Sequence, residues 1–138
     1  MKSVPGIGTT GETTFVVEQK HCIEFASDGM PAVLSTPHLI GILERTARLA
    51  IVPFLEADER SVGVELDLKH LAPSPLGATV TATARVIGHT GRLVDFQIEA
   101  RDEHELIVRG VHRRAVVSIA SFVKRLQAKG GGPGTERS

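Results

Sequence analysis

The first candidate for chemistry is a glutamate on the apolar stripe of a predicted helix. Glu44 follows Ile40 by four residues and precedes Ala47 by three, so helical spacing places its carboxylate on the apolar face. Burial reduces the hydration of a carboxylate and disfavours its charged form, which suits a general base or a nucleophile. The same spacing allows a glutamate at the edge of the stripe that pairs with Arg48, and both interpretations stay open.

The second candidate is a histidine at the end of a predicted strand. His70 directly follows Lys69, where the alternating pattern of that strand ends. Two prolines and a glycine come next, at Pro73, Pro75 and Gly77, and they restrict the backbone just beyond the imidazole. Histidine gives and takes protons near neutral pH, so His70 is a candidate proton carrier, and a surface histidine is the alternative.

A threonine and a glycine lie close to these residues in the predicted elements. Thr36 precedes Pro37, and its hydroxyl is expected to cap the helix, although it could instead orient a ligand. Gly63 lies inside the alternating strand, where glycine marks a bulge or the close approach of a ligand. On the last predicted strand, His112, Arg113 and Arg114 form either a solvated charge cluster or a site for phosphate or carboxylate.

Other chemistries lack their motifs. The histidines at 21, 38, 89 and 104 have no metal-ligand spacing with a partner acid, so we predict no metal site. The chain also has no glycine-rich nucleotide loop after a strand, no P-loop and no serine-hydrolase elbow. We therefore expect neither a nucleotide-driven reaction nor a cofactor.

Charge and cysteine content narrow the class further. The 138 residues include 16 Lys and Arg and 16 Asp and Glu, so the chain lacks the positive field of a nucleic-acid or anionic-membrane binder. The single cysteine, Cys22, cannot form an internal disulfide. The N-terminal residues lack the apolar core of a secretory signal, and the longest apolar run, Leu49–Leu55, is broken by Pro53. We expect a cytoplasmic protein with no nucleic-acid or membrane partner.

The elements that must position these residues form an α+β pattern. Residues 1–129 are expected to form one domain, and the glycine-rich residues 130–138 a flexible tail. A helix is predicted from Thr36 to about Leu55, and the strand after it has Val62, Val64, Leu66 and Leu68 on one face. The other predicted elements are strands at Thr13–Glu18, Ala78–Ile87, Leu93–Ala100 and Leu106–Ser118, an extended piece at His21–Phe25, a loop at Ser27–Thr36 and a helix at Ala120–Lys129. One long helix therefore packs against a curled antiparallel sheet.

This constellation resembles the hotdog-fold thioesterases, and among them the fluoroacetyl-CoA thioesterase family. The resemblance extends from about Thr13 to Val123. It is carried by Thr36-Pro-His-Leu-Ile-Gly-Ile-Leu-Glu44, by Gly63 seven residues before His70, by His70-x-x-Pro73-x-x-x-Gly77 and by Gly110-Val-His-Arg-Arg114-Ala-Val. The Thr-to-Glu and Gly-to-His spacings are specific when they occur together.

The resemblance implies a homodimer of hotdog folds, each with a long central helix wrapped by a curved antiparallel sheet, and active sites at the subunit interface. It assigns catalytic roles to Thr36, Glu44 and His70. It also assigns substrate-binding positions to Gly63, beside the acyl group, and to Arg114.

The loop before the helix bears on the acyl group. The resemblance implies phenylalanines there that cover a very small substrate, whereas residues 27–35 contain Met30, Val33 and Leu34 and no phenylalanine. Methionine is soft and adaptable, so we predict that Met30 contacts a different short or medium acyl group.

The resulting hypothesis is an acyl-CoA thioesterase. Glu44 would attack the thioester carbonyl or activate water, Thr36 would position the reacting groups, and His70 would transfer protons. Eight helical residues span about 12 Å, so either Thr36 folds back from the loop or two chains share the site. An acyl-CoA hydratase or dehydratase and a non-catalytic protein that binds acyl-CoA or another small ligand are the alternatives.

Overall fold

The computed structural model describes residues 1–23 and 26–131. Its strands and helices follow one another as β1 (Thr10–Val16), β2 (Cys22–Ile23), β3 (Val33–Leu34), α1 (Thr36–Ile51), β4 (Glu59–His70), β5 (Thr79–Thr90), β6 (Leu93–Arg101), β7 (Leu106–Ser118) and α2 (Ile119–Ala128). Short 3-10 helices lie at Gln19–His21, Ala26–Asp28 and Val52–Phe54. The predicted α+β class, with one long helix and an antiparallel sheet, is confirmed.

Five strands form one antiparallel sheet in the order β1-β5-β6-β7-β4. Tight turns join β5 to β6 and β6 to β7, as the alternating segments of the sequence predict. Within the described residues, β1 and β4 are therefore the two edges of this sheet, and β2 pairs separately with β3.

The inner face of the sheet holds α1. Alternate residues of β5 and β6 are apolar and buried, and together with Val108 of β7 they meet Leu39, Leu43, Ala47 and Ile51 of the helix. β1 crosses α1 so closely that a Cβ atom on Gly11 would lie 2.8 Å from the carbonyl oxygen of Thr46. This packing fixes the helix on the sheet, and with it the two helix residues of the candidate site.

The start of α1 differs from the prediction. Ser35, in an extended conformation, is the N-cap, and its Oγ accepts a hydrogen bond from the backbone N–H of His38 at 3.3 Å. Thr36 is the first helical residue, so the expected cap was wrong by one position and the Thr36 hydroxyl is available to another partner. The helix ends at Ile51 rather than near Leu55, because Pro53 belongs to a 3-10 turn.

A β-bulge interrupts β4, so the predicted alternation of its side chains is wrong in part. Gly63 pairs with Arg114, but Glu65 pairs with Arg113, so Val64 is the extra residue. One extra residue exchanges the two faces of the strand beyond it. Ser61 and Gly63 therefore share the inner face with Leu66 and His70, whereas Val62 belongs to the outer face, contrary to the prediction that it lies with Leu66.

The remaining boundaries shift by a few residues. β1 lies slightly before the predicted Thr13–Glu18, β5 extends to Thr90, and α2 starts one residue before Ala120. Of the predicted extended piece at 21–25, Cys22 and Ile23 form β2 and His21 ends a 3-10 turn, while Glu24 and Phe25 lie outside the described residues. Residues 132–138 of the predicted tail also lie outside them. Neither helix in the described part of the chain has the length and apolar character needed to cross a membrane.

Candidate active site

Thr36 and His70 meet at one end of α1. The Oγ1 atom of Thr36 lies 2.8 Å from the Nδ1 atom of His70 and forms a hydrogen bond with it. The first turn of α1 supplies the threonine, and the last residue of β4 supplies the histidine. The other ring nitrogen of His70, Nε2, is buried and has no hydrogen-bond partner within the described residues.

Glu44 lies farther along α1, against the bulge of β4. Its Oε2 atom is 3.8 Å from Nη1 of Arg114, which makes this the ion pair of Glu44. A Cβ atom on Gly63 would approach the same oxygen to 2.6 Å, so only glycine leaves the carboxylate its present place. The side chain of Glu44 is 42% exposed. Glu44 therefore faces β4, as the first interpretation of its spacing predicts, but it is not buried as that interpretation expected. Arg48 is not its ion-pair partner within the described residues.

Arg114 is held rigidly beneath this carboxylate. Its Nε donates to Oγ of Ser61 and its Nη2 donates to the carbonyl oxygen of Ser61, both at 2.9 Å. Its side chain is only 5% exposed, and burial lowers its pKa while the charge of Glu44 raises it. Because a guanidinium stays protonated even so, Arg114 is a fixed positive charge facing Glu44.

Sequence reasoning named His112 only as part of the 112–114 charge cluster, without a role of its own, and the structure places it beside Arg114 and Glu44. Its Nδ1 is 2.9 Å from the carbonyl oxygen of Glu65, its Nε2 is 3.2 Å from Nη1 of Arg114, and its ring stacks on Phe96. A signal was present, since His112 and Arg114 alternate with buried Val116 along β7. The predicted charge cluster at 112–114 is thus divided between the two faces of the sheet.

Arg113, the residue of the 112–114 cluster on the outer face of the sheet, has a different environment. Arg113 points away from α1 and donates to Asp95 through Nε at 2.6 Å and Nη2 at 3.2 Å. The hydrogen bonds and charge of Asp95 raise the pKa of Arg113. Arg113 therefore stabilises the outer surface between β6 and β7 and has no contact with the candidate site.

Burial determines the charge of His112. Desolvation is the largest influence and lowers its pKa, the hydrogen bond to the Glu65 carbonyl raises it, Arg114 lowers it and Glu44 raises it, with a net lowering. The ring is therefore neutral at neutral pH. The only large positive charge beside the Glu44 carboxylate within the described cluster is then Arg114.

The candidate residues form two groups rather than one. Thr36 and Glu44 are both residues of α1, and eight residues of helix separate them by about 12 Å. The option that Thr36 folds back from the loop is therefore wrong. One group contains Thr36 and His70, and the other contains Glu44, Gly63, His112 and Arg114.

A small cavity opens at the second group. It measures about 270 Å³ and is lined by Glu44, Gly63, Val64, Glu65, Leu66 and His112. Met30, predicted to contact the acyl group, is 54% exposed in the loop before β3. Among the described residues, no three His, Cys, Asp or Glu side chains are grouped so that they could hold a metal ion.

Comparison with known proteins places the chain in a family. A family model described as fluoroacetyl-CoA-specific thioesterase matches residues 17–120. The chain belongs to this thioesterase family. A fluoroacetyl-CoA thioesterase of Streptantibioticus cattleyicolor is 34% identical over 106 residues, which are 77% of this chain and 75% of that protein.

Solved structures agree with this assignment. A mutant fluoroacetyl-CoA-specific thioesterase in complex with fluoroacetate and CoA has a TM-score of 0.78 and 29% identity, covering 86% of this chain and 99% of that chain. A hot-dog-like protein from Thermanaerovibrio acidaminovorans has a TM-score of 0.83 and 28% identity, covering 92% and 94%. The resemblance inferred from the sequence, its hotdog fold and its thioesterase class are confirmed.

Proposed function

We propose that this chain hydrolyses a short- or medium-chain acyl-CoA at a site shared by two copies of the chain. Family membership and the CoA bound in a structural neighbour support the substrate class. The observation that carries the site assignment is the 2.8 Å hydrogen bond between Thr36 and His70. It orients a histidine whose second nitrogen, buried in the single chain, has no hydrogen-bond partner among the described residues, and we assign the proton transfer to this nitrogen.

The edge strand β4 supports a shared site. It has twelve residues, and among the described residues its outer edge pairs with no other strand, while Val64 exposes 53% of its surface there. In a two-fold dimer two such edges pair antiparallel. A pairing centred on Asp67, in which Val64 is again the extra residue, brings His70 of the partner subunit opposite Gly63. Both residues are on the inner face, so the histidine would approach Glu44.

Each group then has one chemical task. The Glu44 carboxylate either attacks the thioester carbonyl carbon or removes a proton from the water that attacks it. The C–S bond breaks as the tetrahedral intermediate collapses, and His70 gives a proton to the departing thiolate. Thr36 holds His70 in the required orientation, and Arg114 holds Glu44 in place. Where Glu44 attacks directly, the acyl group is left on Glu44 as a mixed anhydride, and water then hydrolyses it and restores the carboxylate. In both cases the products are a carboxylic acid and free CoA.

The cavity beside Glu44 favours the short end of the acyl range. Its volume of about 270 Å³ is below that of most small-molecule sites. Gly63 contributes no side chain to it, and Val64 and Leu66 give it an apolar wall. Acyl groups of a few carbons therefore match this space better than long chains.

Thiol release from a panel of acyl-CoAs, from acetyl and fluoroacetyl to longer and aromatic groups, tests the proposal. We expect the wild type to release CoA fastest from a short acyl group, and Glu44→Gln and His70→Ala each to lower kcat by at least about 100-fold. Glu12→Gln is the matched control, because this carboxylate on β1 is exposed and belongs to neither group of candidate residues. Consumption of an enoyl-CoA without thiol release would instead identify a hydratase, and saturable binding without turnover would identify a binding protein.

A mixing experiment tests the shared site. Glu44→Gln and His70→Ala are each inactive as homodimers, but a heterodimer of the two contains one intact pair of groups. After complete subunit exchange of equal amounts, activity should recover to about a quarter of the wild type. No recovery, with heterodimers demonstrated by mass spectrometry, contradicts a site formed by two chains.

A further inference from the structure

The hydrogen bonds of His112 are typical of an active-site residue rather than of a core residue. It is buried against Phe96, yet both of its ring nitrogens have polar partners. The carbonyl oxygen of Glu65 can only accept, so Nδ1 carries the proton. Nε2 is then a bare acceptor, and the guanidinium of Arg114 can only donate to it. The hydrogen-bond network therefore selects the neutral ring with its proton on Nδ1.

This tautomer completes the support of Arg114. Ser61 binds the Nε and Nη2 side of the guanidinium, and His112 binds Nη1. Nη1 is also the atom that faces Glu44, at 3.8 Å. The histidine therefore controls the one nitrogen of Arg114 that sets the position of the carboxylate.

The absence of a side chain at Gly63 leaves space for both Glu44 and His112. A Cβ atom there would lie 2.6 Å from Oε2 of Glu44 and 3.2 Å from Cε1 of His112, so the carboxylate and the imidazole flank the same space above the glycine. The groups that face the ring are Glu44 of α1, the Glu65 carbonyl of β4, the uncharged Phe96 of β6 and, on its own strand β7, Arg114. A protonated ring would present a second N–H to the guanidinium and lose this hydrogen bond.

We propose that His112 is a positioning residue of the thioesterase reaction: as a neutral imidazole protonated on Nδ1, it fixes Nη1 of Arg114 and thereby the reacting carboxylate of Glu44. This inference rests on the proposed function. It predicts that loss of the acceptor at Nε2 slows the chemical step and leaves substrate binding nearly unchanged, because the ring acts through Arg114 and Glu44.

Two substitutions separate positioning from packing. His112→Phe keeps a ring against Phe96 but has no acceptor, and we expect kcat to fall about 10- to 100-fold with KM changed less than about threefold. His112→Gln keeps an acceptor near the position of Nε2 and should recover most of that loss. His89→Phe, at an exposed position near the end of β5, is the control with the same change of side chain and should have wild-type kinetics.

The outcomes distinguish this inference from the proposed function. Wild-type kcat in His112→Phe, with turnover still dependent on Glu44, overturns the positioning role alone. Equal losses in the Phe and Gln variants that follow their melting temperatures also overturn it, because they indicate a structural role. Absence of thiol release by the wild type from every acyl-CoA overturns the proposed function instead.

NMR of the histidine ring nitrogens in the wild type tests the inference without an activity assay and without a folded His112→Phe variant. The signals of His112, identified by their loss in His112→Gln, should show a neutral ring with the proton on Nδ1 near neutral pH. A protonated ring, or a proton on Nε2, overturns the inference.

Discussion

Gly63 controls the space in which the Glu44 carboxylate lies. Its backbone is not in the left-handed region, so alanine is tolerated there by the main chain. The obstacle is the contact that a new Cβ would make with Oε2 of Glu44, at 2.6 Å. That oxygen is the far end of a flexible side chain, so it can move away at little cost to the fold.

Gly63→Ala should therefore harm activity more than stability. We expect kcat/KM to fall about 10- to 100-fold, because the displaced carboxylate no longer faces the thioester carbon, while the melting temperature changes by only a few degrees. Thiol-release kinetics and thermal unfolding measure the two effects. Gly41→Ala, on the exposed side of α1 with open space around it, is the control and should keep full activity. An active Gly63→Ala variant would contradict the assigned position of Glu44.

His112 should also make stability depend on pH. Burial lowers its pKa in the folded chain, so between that value and the unfolded value of about 6.5 the unfolded chain binds a proton that the folded chain does not. The contribution of His112 to the free energy of unfolding is complete above the pKa that it has in the unfolded chain, and it decreases as the pH falls below that value. Urea unfolding from mildly acidic to mildly basic pH should show a smaller acid decrease in His112→Gln than in the wild type. Parallel curves for the two proteins would exclude this contribution.

Among the elements, β4 depends on its close contact with β7. A Cβ atom on Gly110 would overlap the carbonyl oxygen of Asp67 and lie 2.6 Å from Cα of Leu68, so there is no room for it without moving backbone. Since β4 carries both Gly63 and His70, any shift of the strand changes both halves of the site.

Gly110→Ala should therefore lower both stability and activity. We expect a loss of about 1–3 kcal/mol in the free energy of unfolding, the usual cost of overpacking, together with reduced kcat in the fraction that remains folded. Gly88→Ala is the matched control, because a Cβ there would meet Asp95 only at 3.7 Å, an ordinary contact. Urea unfolding and thiol release compare the two variants, and equal stability of both would show that β4 adjusts freely.

At the scale of the whole molecule, activity should require association through β4. Val64→Lys places a charge on the exposed edge of this strand, so we expect it to convert the dimer into monomers and remove most activity. Leu49→Lys, on α1 with a similar exposure of 46%, is the control and should stay dimeric and active. Analytical ultracentrifugation gives the oligomeric state. A wild type that is monomeric and fully active would contradict the shared site.

Sequence periodicity could predict the elements because apolar alternation and helical spacing are local. The helix, the three meander strands and the placement of Glu44 toward the sheet follow from that pattern. Gly63 indicated a bulge or a ligand contact in β4, but the sequence could not decide between them or identify Val64 as the extra residue, because that depends on how β4 pairs with β7. Spacing likewise could not decide between Ser35 and Thr36 as the cap, because adjacent hydroxyls offer the same chemistry.

The site was predictable in parts. Each residue of the two groups was named from its type and neighbours, and family resemblance gave Thr36, Glu44 and His70 their roles. His112 was named only within the 112–114 charge cluster and received no role of its own, because a histidine between charged residues has the composition of a solvated surface, although its strand position gives it a buried face. The division of the site into two groups follows from the rigid rise of α1, which the sequence alone already implies.

The bulge in β4 makes the length of this strand as important as its composition. Between Gly63 and His70, insertion or deletion of a single residue would turn one of these two residues to the outer face of the sheet. Substitutions along this segment are therefore easier to accommodate than changes in residue count. An engineer who transplants the site to another scaffold must copy the interval between the glycine and the histidine, together with its unpaired residue.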